Sequence, residues 1–344
     1  MIQNKRTKRK GGNKIILYVI ILVALGFMHL YDRFFGEVQT PAAIELSTTS
    51  TDKPSLEHTS GPTAESAATP GTKPKPIAKR NDLYRTGWAE LPAENVDNSL
   101  YYAHHTISSE GRRNYSVCFS KQYRCPVWVA YPLHASYKGN AKRSDSFGFD
   151  PTISIDIQPL LRRSFGEYTR GHLVGSAERT SSVEANQQTF YATNIAPQLQ
   201  AGFNSSNGAW NNMERFVDRQ VCADTLYVVT GCLFEDFTDA NGHTIEASTT
   251  VNKNDNRKIA VPTAFYKVLL RTRKGNTGRS VYDCKPEELK CAAFIAGHCS
   301  SAGVKPSAST MMSVEELERI TDIEFFAGVK NAPKNKANAK DWGL

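Results

Sequence analysis

Between Glu37 and Arg80 the chain carries no aromatic residue, and prolines recur at positions 41, 54, 62, 70, 74 and 76 among Thr, Ser and Ala. Such a stretch cannot bury enough apolar surface to offset the entropy of ordering it. Residues 32–80 therefore read as a disordered Pro/Ser/Thr-rich linker, and a folded core has to come from the residues beyond position 80. Ahead of the linker stands an apolar run, Ile15 to Tyr31, broken by His29 and preceded by Lys5, Arg6, Lys8, Arg9, Lys10 and Lys14. A run of this length is just long enough to span a bilayer, which takes roughly 17–25 residues. The basic residues put its leading side in the cytoplasm, and no Ala-x-Ala pattern close behind offers a cleavage site. The expectation is a basic cytoplasmic tail (1–14), an uncleaved transmembrane signal anchor (15–31) and a membrane-anchored domain outside the cytoplasm, periplasmic or extracellular.

The formal net charge is +8, and removing the six basic residues that precede Asp32 leaves +2 for the remainder. The basic balance is therefore mainly a topology signal and weak evidence for a nucleic-acid partner. All seven cysteines (118, 125, 222, 232, 284, 291 and 299) come after the linker. An oxidising compartment would let several pair, with Cys118–Cys125 and Cys284–Cys291 near enough in sequence for local bridges. The absence of any Cys-x-x-Cys pair argues against a zinc site.

Order returns near Tyr84 and Trp88. Aromatic and β-branched residues dominate Leu100–Ile107, Pro126–Tyr131, Thr225–Thr230 and Lys258–Arg271, which predicts strands. Residues 190–198 are also strand-like. In Gly208–Val221 the residues Trp210, Met213, Val217 and Val221 form one stripe at helical spacing. Ser313-Val-Glu-Glu316 has the form of a capping box that would start a second helix through Leu317, Ile320 and Ile323. The globular part is expected as a single domain at 81–330, and the lysines and asparagines beyond it predict a flexible tail at 331–344.

Chemistry concentrates in Tyr168-Thr-Arg-Gly-His-Leu-Val-Gly-Ser-Ala-Glu-Arg-Thr180. A neutral imidazole at His172 can take a proton from water near neutral pH. Arg170 can hold a phosphate oxygen through charge-assisted hydrogen bonds, and Gly171 between them permits a close backbone approach. Glu214 lies four residues after Trp210, at the edge of the buried stripe. It either serves a site or pairs with Arg215 or Arg219. Arg179 and Arg219 are candidate phosphate contacts, weighed against plain solvation.

The segments at 168–180, 190–198, 208–221, Val228–Gly231, Val261–Lys267 and 313–326, in this order, resemble the DNA/RNA non-specific endonucleases. The likeness runs from about Trp128 to Phe326. It implies an α+β fold: a mixed α/β domain with a central antiparallel sheet and a ββα-metal (His-Me finger) active site. It implies a metal-dependent endonuclease acting on DNA, RNA or both, with His172 as general base and Arg170 near the scissile phosphate. Asn194 would shape the site and Glu214 would assist from the helix. Mg²⁺, or Mn²⁺ in its place, would be held by one asparagine. Two extra residues in Phe203-Asn-Ser-Ser-Asn-Gly-Ala-Trp210 leave both Asn204 and Asn207 as candidates, with Asn207 alternatively an N-cap. Thr169 stands where the family's Asp-Arg-Gly-His signature has its aspartate. The alternative function is a catalytically weak or inactive, membrane-tethered nucleic-acid-binding protein, for which Thr169 is the main support.

Overall fold

The computed structural model describes residues 87–300 and 303–344. The expected anchor (15–31) and linker (32–80) lie outside them. The described strands are β1 (Leu100–Ile107), β2 (Arg112–Ser120), β3 (Cys125–Leu133), β4 (Thr169–His172), β5 (Ile195–Gln198), β6 (Leu226–Leu233), β7 (Phe237–Thr238), β8 (Thr244–Ile245), β9 (Ser248–Asn252), β10 (Arg257–Val261), β11 (Ala264–Thr272), β12 (Leu289–Gly297) and β13 (Met311–Met312). Among the described residues three α-helices join them: α1 (Val183–Gln188), α2 (Ala209–Asp218) and α3 (Val314–Thr321). Seven strands form one antiparallel sheet in the order β1-β2-β3-β6-β11-β12-β13. The expected mixed α/β domain with a central antiparallel sheet is thus what the chain forms.

Both faces of this sheet are covered. Val117, Val129, Tyr131, Val228, Phe265 and Leu269 point to one face, where they meet Trp210, Met213, Phe216 and Val217 of α2 and Ile195 of β5. Their neighbours Cys118, Trp128, Ala130, Val229, Tyr266 and Val268 point to the other, under Val314 and Leu317 of α3 and Phe325 and Phe326. Two covered faces remove the polar alternation of a half-exposed strand. That is why β2, which opens Arg-Arg-Asn, and β12, which carries an Ala-Ala pair, were not recognisable in the sequence.

The sequence expectation for Lys258–Arg271 merged two strands. Pro262, which has no N–H to give a ladder, separates β10, paired with β9, from β11 in the main sheet. Of residues 190–198, Ala192–Asn194 is a 3₁₀ turn and the strand begins at Ile195. The capping box forms as expected: Ser313 Oγ accepts from Glu316 N, and Glu316 Oε2 accepts from Ser313 N at 2.7 Å.

Two expectations are corrected. The C-terminal segment is no loose tail: residues 339–342 form a 3₁₀ turn that buries Trp342, with Lys290 Nζ 4.2 Å from its ring centroid and Arg273 paired to Asp341. One buried aromatic and two cations outweigh a composition that reads as polar. All seven cysteines are free. Cys118 and Cys125, close in sequence, belong to the cores on opposite faces of the sheet, so their side chains cannot meet.

Candidate active site

Strands β4 and β5 form a short hairpin in the register Thr169–Gln198, Arg170–Pro197, Gly171–Ala196 and His172–Ile195. The chain then turns through Gln200–Asn204 into α2. Hairpin and helix face one cleft of about 470 Å³, whose lining includes Thr169, Arg170, His172, Asn204, Asn211 and Glu214. The glycines at two joints are required by space. A Cβ at Gly208 would sit 2.2 Å from the Phe203 carbonyl oxygen, and so push the Asn204 turn off the start of α2. At Gly171 it would sit 2.1 Å from Gln198 Cδ across the hairpin. Gly171→Ala is therefore expected to cost about 1–3 kcal/mol in denaturant unfolding, as overpacking does. The cost should shrink in a Gln198→Ala background; an equal cost in both backgrounds would mean the clash is not its source.

His172 is held by aromatic packing. Its ring stands edge-on to Phe190, centroids 4.9 Å apart at 84°, and to Phe147 at 5.6 Å and 63°. Burial, reinforced by the Arg143 charge and opposed by Asp145, lowers its pKa to about 3. The imidazole is then neutral at physiological pH. The Arg170 backbone also acts on the ring, raising its pKa, while Nε2 is buried and has no hydrogen-bond partner among the described residues. The cleft wall thus holds a neutral imidazole with one nitrogen uncommitted among the described residues.

The same two phenylalanines carry the guanidinium groups. Arg170 stacks over Phe147 at 3.6 Å and donates to the Leu161 carbonyl at 2.8 Å. Arg143 lies over Phe190 at 4.8 Å, donates to Ser176 Oγ at 3.1 Å and pairs with Asp145 at 2.7 Å. Sequence reasoning missed Arg143, because Lys142-Arg143-Ser-Asp carries no periodicity or motif; only the approach of its loop to Phe190 gives it a place.

Glu214 lies on α2 within this cleft. Burial, countered by Lys267 and reinforced by Glu178, raises its pKa to about 7. Among the described residues it forms no ion pair with Arg215 or Arg219, the bland alternative. Lys267, on β11 and 1% exposed, lies behind it and donates to Thr230 Oγ1 at 2.8 Å and Tyr131 Oη at 3.2 Å. Its ammonium is 5.0 Å from the Trp210 ring centroid. This buried cation was also invisible in the sequence, where it looks like one lysine in an apolar run.

The remaining candidates separate. Asn194 is fully buried and spends its amide on Val174 N, Val174 O and Thr189 O, so it fixes the turn after His172 and does not reach the cleft. Arg179 is corrected: it is fully buried, with its terminal nitrogens donating to the carbonyls of Glu178, Pro132 and Asn114, so a phosphate in the cleft does not reach it. Asn204 lines the cleft, whereas Asn207, at φ 66°, lines a separate depression beyond α2. Arg219 borders that same depression, away from His172. Two histidines without a sequence role are structural. His298 donates to the Pro262 carbonyl and accepts from Leu199 N, and His105 bonds Asp150 at 2.9 Å.

A neutral base, guanidinium groups and hard oxygen donors in one open cleft suit hydrolysis of a phosphate ester, so fold and site together define a nuclease-like α+β protein. The model of the DNA/RNA non-specific endonucleases matches residues 98–332, and the chain belongs to that family. It is 25% identical to mitochondrial endonuclease G of Bos taurus over 77% of this chain and 86% of that protein. It is 29% identical to a nuclease of Nostoc sp. over 63% and 73%, and 27% identical to the mitochondrial nuclease of Saccharomyces cerevisiae over 72% and 75%. The crystal structure of an EndoG/EndoGI complex superposes with a TM-score of 0.51 at 27% identity, covering 66% of this chain and 86% of that one.

These relatives overturn one expectation. Endonuclease G, EXOG and the yeast enzyme are named as mitochondrial, and among the described residues no helix is long and apolar enough to cross a membrane. The extracytoplasmic, membrane-anchored location does not stand. The apolar run that carried the expectation, Ile15 to Tyr31, lies outside the described residues.

Proposed function

We propose that the protein is a metal-dependent endonuclease that hydrolyses phosphodiester bonds of DNA, RNA or both without sequence selectivity. The observation that carries this reading is the unpartnered Nε2 of neutral His172, in one cleft with Arg170, Asn204 and Glu214. In this reading His172 takes the proton of the attacking water. Arg170 and Arg143, braced by Phe147 and Phe190, bind the phosphate and offset the charge that grows on its oxygens. Asn194 keeps the turn after His172 in place and is a positioning residue. Cations that meet only phosphates read no bases, hence the lack of selectivity.

The residues fit a hard divalent cation. An amide at Asn204, with no hydrogen bond of its own among the described residues, and a carboxylate at Glu214 supply hard oxygen donors. No cluster of three His, Cys, Asp or Glu side chains able to hold a metal occurs among the described residues. That donor set suits an ion that keeps most of its water, such as Mg²⁺ or Mn²⁺. When bound, the ion would neutralise the phosphate and the leaving oxygen.

The test incubates the full chain with plasmid DNA and with RNA, with Mg²⁺, with Mn²⁺ and with EDTA. Cleavage with a divalent cation and none with EDTA is expected. Binding of either polymer without cleavage would instead favour the catalytically weak alternative. Asn204→Ala is expected to raise the cation concentration needed for half-maximal cleavage at least tenfold, while Asn207→Ala leaves it near wild type. The reverse ranking would transfer the ligand role to Asn207.

A further inference from the structure

The basic surface does not end at the cleft. Arg215 lines both the cleft and the depression on the far side of α2, which measures about 490 Å³. Arg219 and Lys305 border that depression, and the buried rings of Phe216 and Trp342 wall it. No Asp or Glu side chain among the described residues lines it. Among the described residues Arg215, Arg219 and Lys305 form no ion pair, either with an acidic side chain or with the Leu344 carboxylate. Two acids of the neighbouring segments are engaged elsewhere: Asp218 pairs with Lys138 on the cleft side, and Asp341 with Arg273. Three cations against the single Leu344 carboxylate leave a net positive potential in this concave, apolar-walled groove. Arg215 and Arg219, one helical turn apart, are offset by a rise of about 6 Å. That is close to two steps of a nucleic-acid strand at about 3.4 Å each.

We propose that this depression is a second nucleic-acid subsite, which holds the backbone flanking the cleaved bond through phosphate contacts from Arg215, Arg219 and Lys305; it rests on the reading of the cleft as the phosphodiester site. Arg219 thereby keeps the partner class expected from the sequence, at a place remote from His172. The subsite gives long polymers a grip that short fragments lack, and the grip reads no bases.

The test uses full-length wild type and the Arg219→Ala/Lys305→Ala double variant, which leaves the cleft intact. Binding is read by fluorescence anisotropy in EDTA, on a long labelled duplex DNA and on one short enough to fill the cleft alone. The double variant is expected to bind the long duplex about tenfold more weakly. The slope of log affinity against log salt should fall by about 0.9 for each phosphate no longer neutralised. Affinity for the short duplex should not change, and Arg219→Lys/Lys305→Arg should restore both readouts. Equal weakening on both lengths, or none on the long duplex, would overturn the subsite. Cleavage activity reports separately: wild type that shows the length-dependent grip and cuts nothing would leave the subsite standing and remove the catalytic reading.

Discussion

His172→Ala is expected to lower cleavage by about 10²–10⁴-fold, the range that a positioned general base supplies, with little change in affinity for uncleaved nucleic acid measured in EDTA. The ring is packed between Phe147 and Phe190, so the substitution leaves a small gap at the cleft wall. Added imidazole should enter it and restore part of the rate, which loss of packing alone would not allow. Cleavage at the wild-type rate by His172→Ala would end the proposed mechanism. The acid side of the stability curve offers an independent check. The folded pKa of His172 is depressed to about 3, while an unfolded histidine titrates near 6.5. Stability from this group is therefore present above about pH 6.5 and is lost as pH falls toward 3. His172→Ala should flatten that fall in chemical unfolding.

The second large effect concerns Lys267, which touches neither substrate nor cleft. Its charge favours the ionised form of Glu214, against burial and the neighbouring Glu178. With Glu214 near 7 and His172 near 3, the free protein's cleavage efficiency should rise with pH through about 7, as one proton leaves Glu214. His172 adds no limb in that range. Lys267→Met removes the cation and should move the limb alkaline by about one unit or more, so that activity at pH 7 falls about fivefold for the first unit and roughly tenfold for each further one. Glu214→Gln should abolish the limb. A limb unmoved by Lys267→Met, or still present in Glu214→Gln, would dissociate the lysine from the site. The stability sign is opposite to that of His172. A carboxyl whose folded pKa is raised supports the fold below about 4.5, and that support is lost as pH rises through 7. In EDTA the two slopes partly cancel between about 4.5 and 6.5, and each single variant should expose the other.

Much of the site was legible in the sequence because its parts are local. A glycine between Arg170 and His172 and an asparagine turn before a helix with a Trp210 stripe are short-range patterns, and the β4–β5 hairpin and α2 realise them within about fifty residues. The two insertions before Gly208 were equally visible, but their consequence was not. Which asparagine faces His172 depends on how the turn folds over Gly208, where Phe203 leaves no room for a Cβ.

Sequence alone determined where a core could form, that strands would dominate it, that α2 would carry the Trp210 stripe, though it ends at Asp218 and not Val221, that α3 would start at its capping box, and that His172 was the residue to watch. Periodicity and capping act over one or two turns, so residue order suffices for them. Only the tertiary structure decided the rest. It brought Arg143 from a loop without pattern onto Phe190, sank Arg179 among backbone carbonyls and moved Arg219 to a second depression. It also set Lys267 behind Glu214 across strands β6 and β11. Each of these depends on the charge and burial that distant segments impose on one another, and desolvation is a property of the packed neighbourhood rather than of residue order.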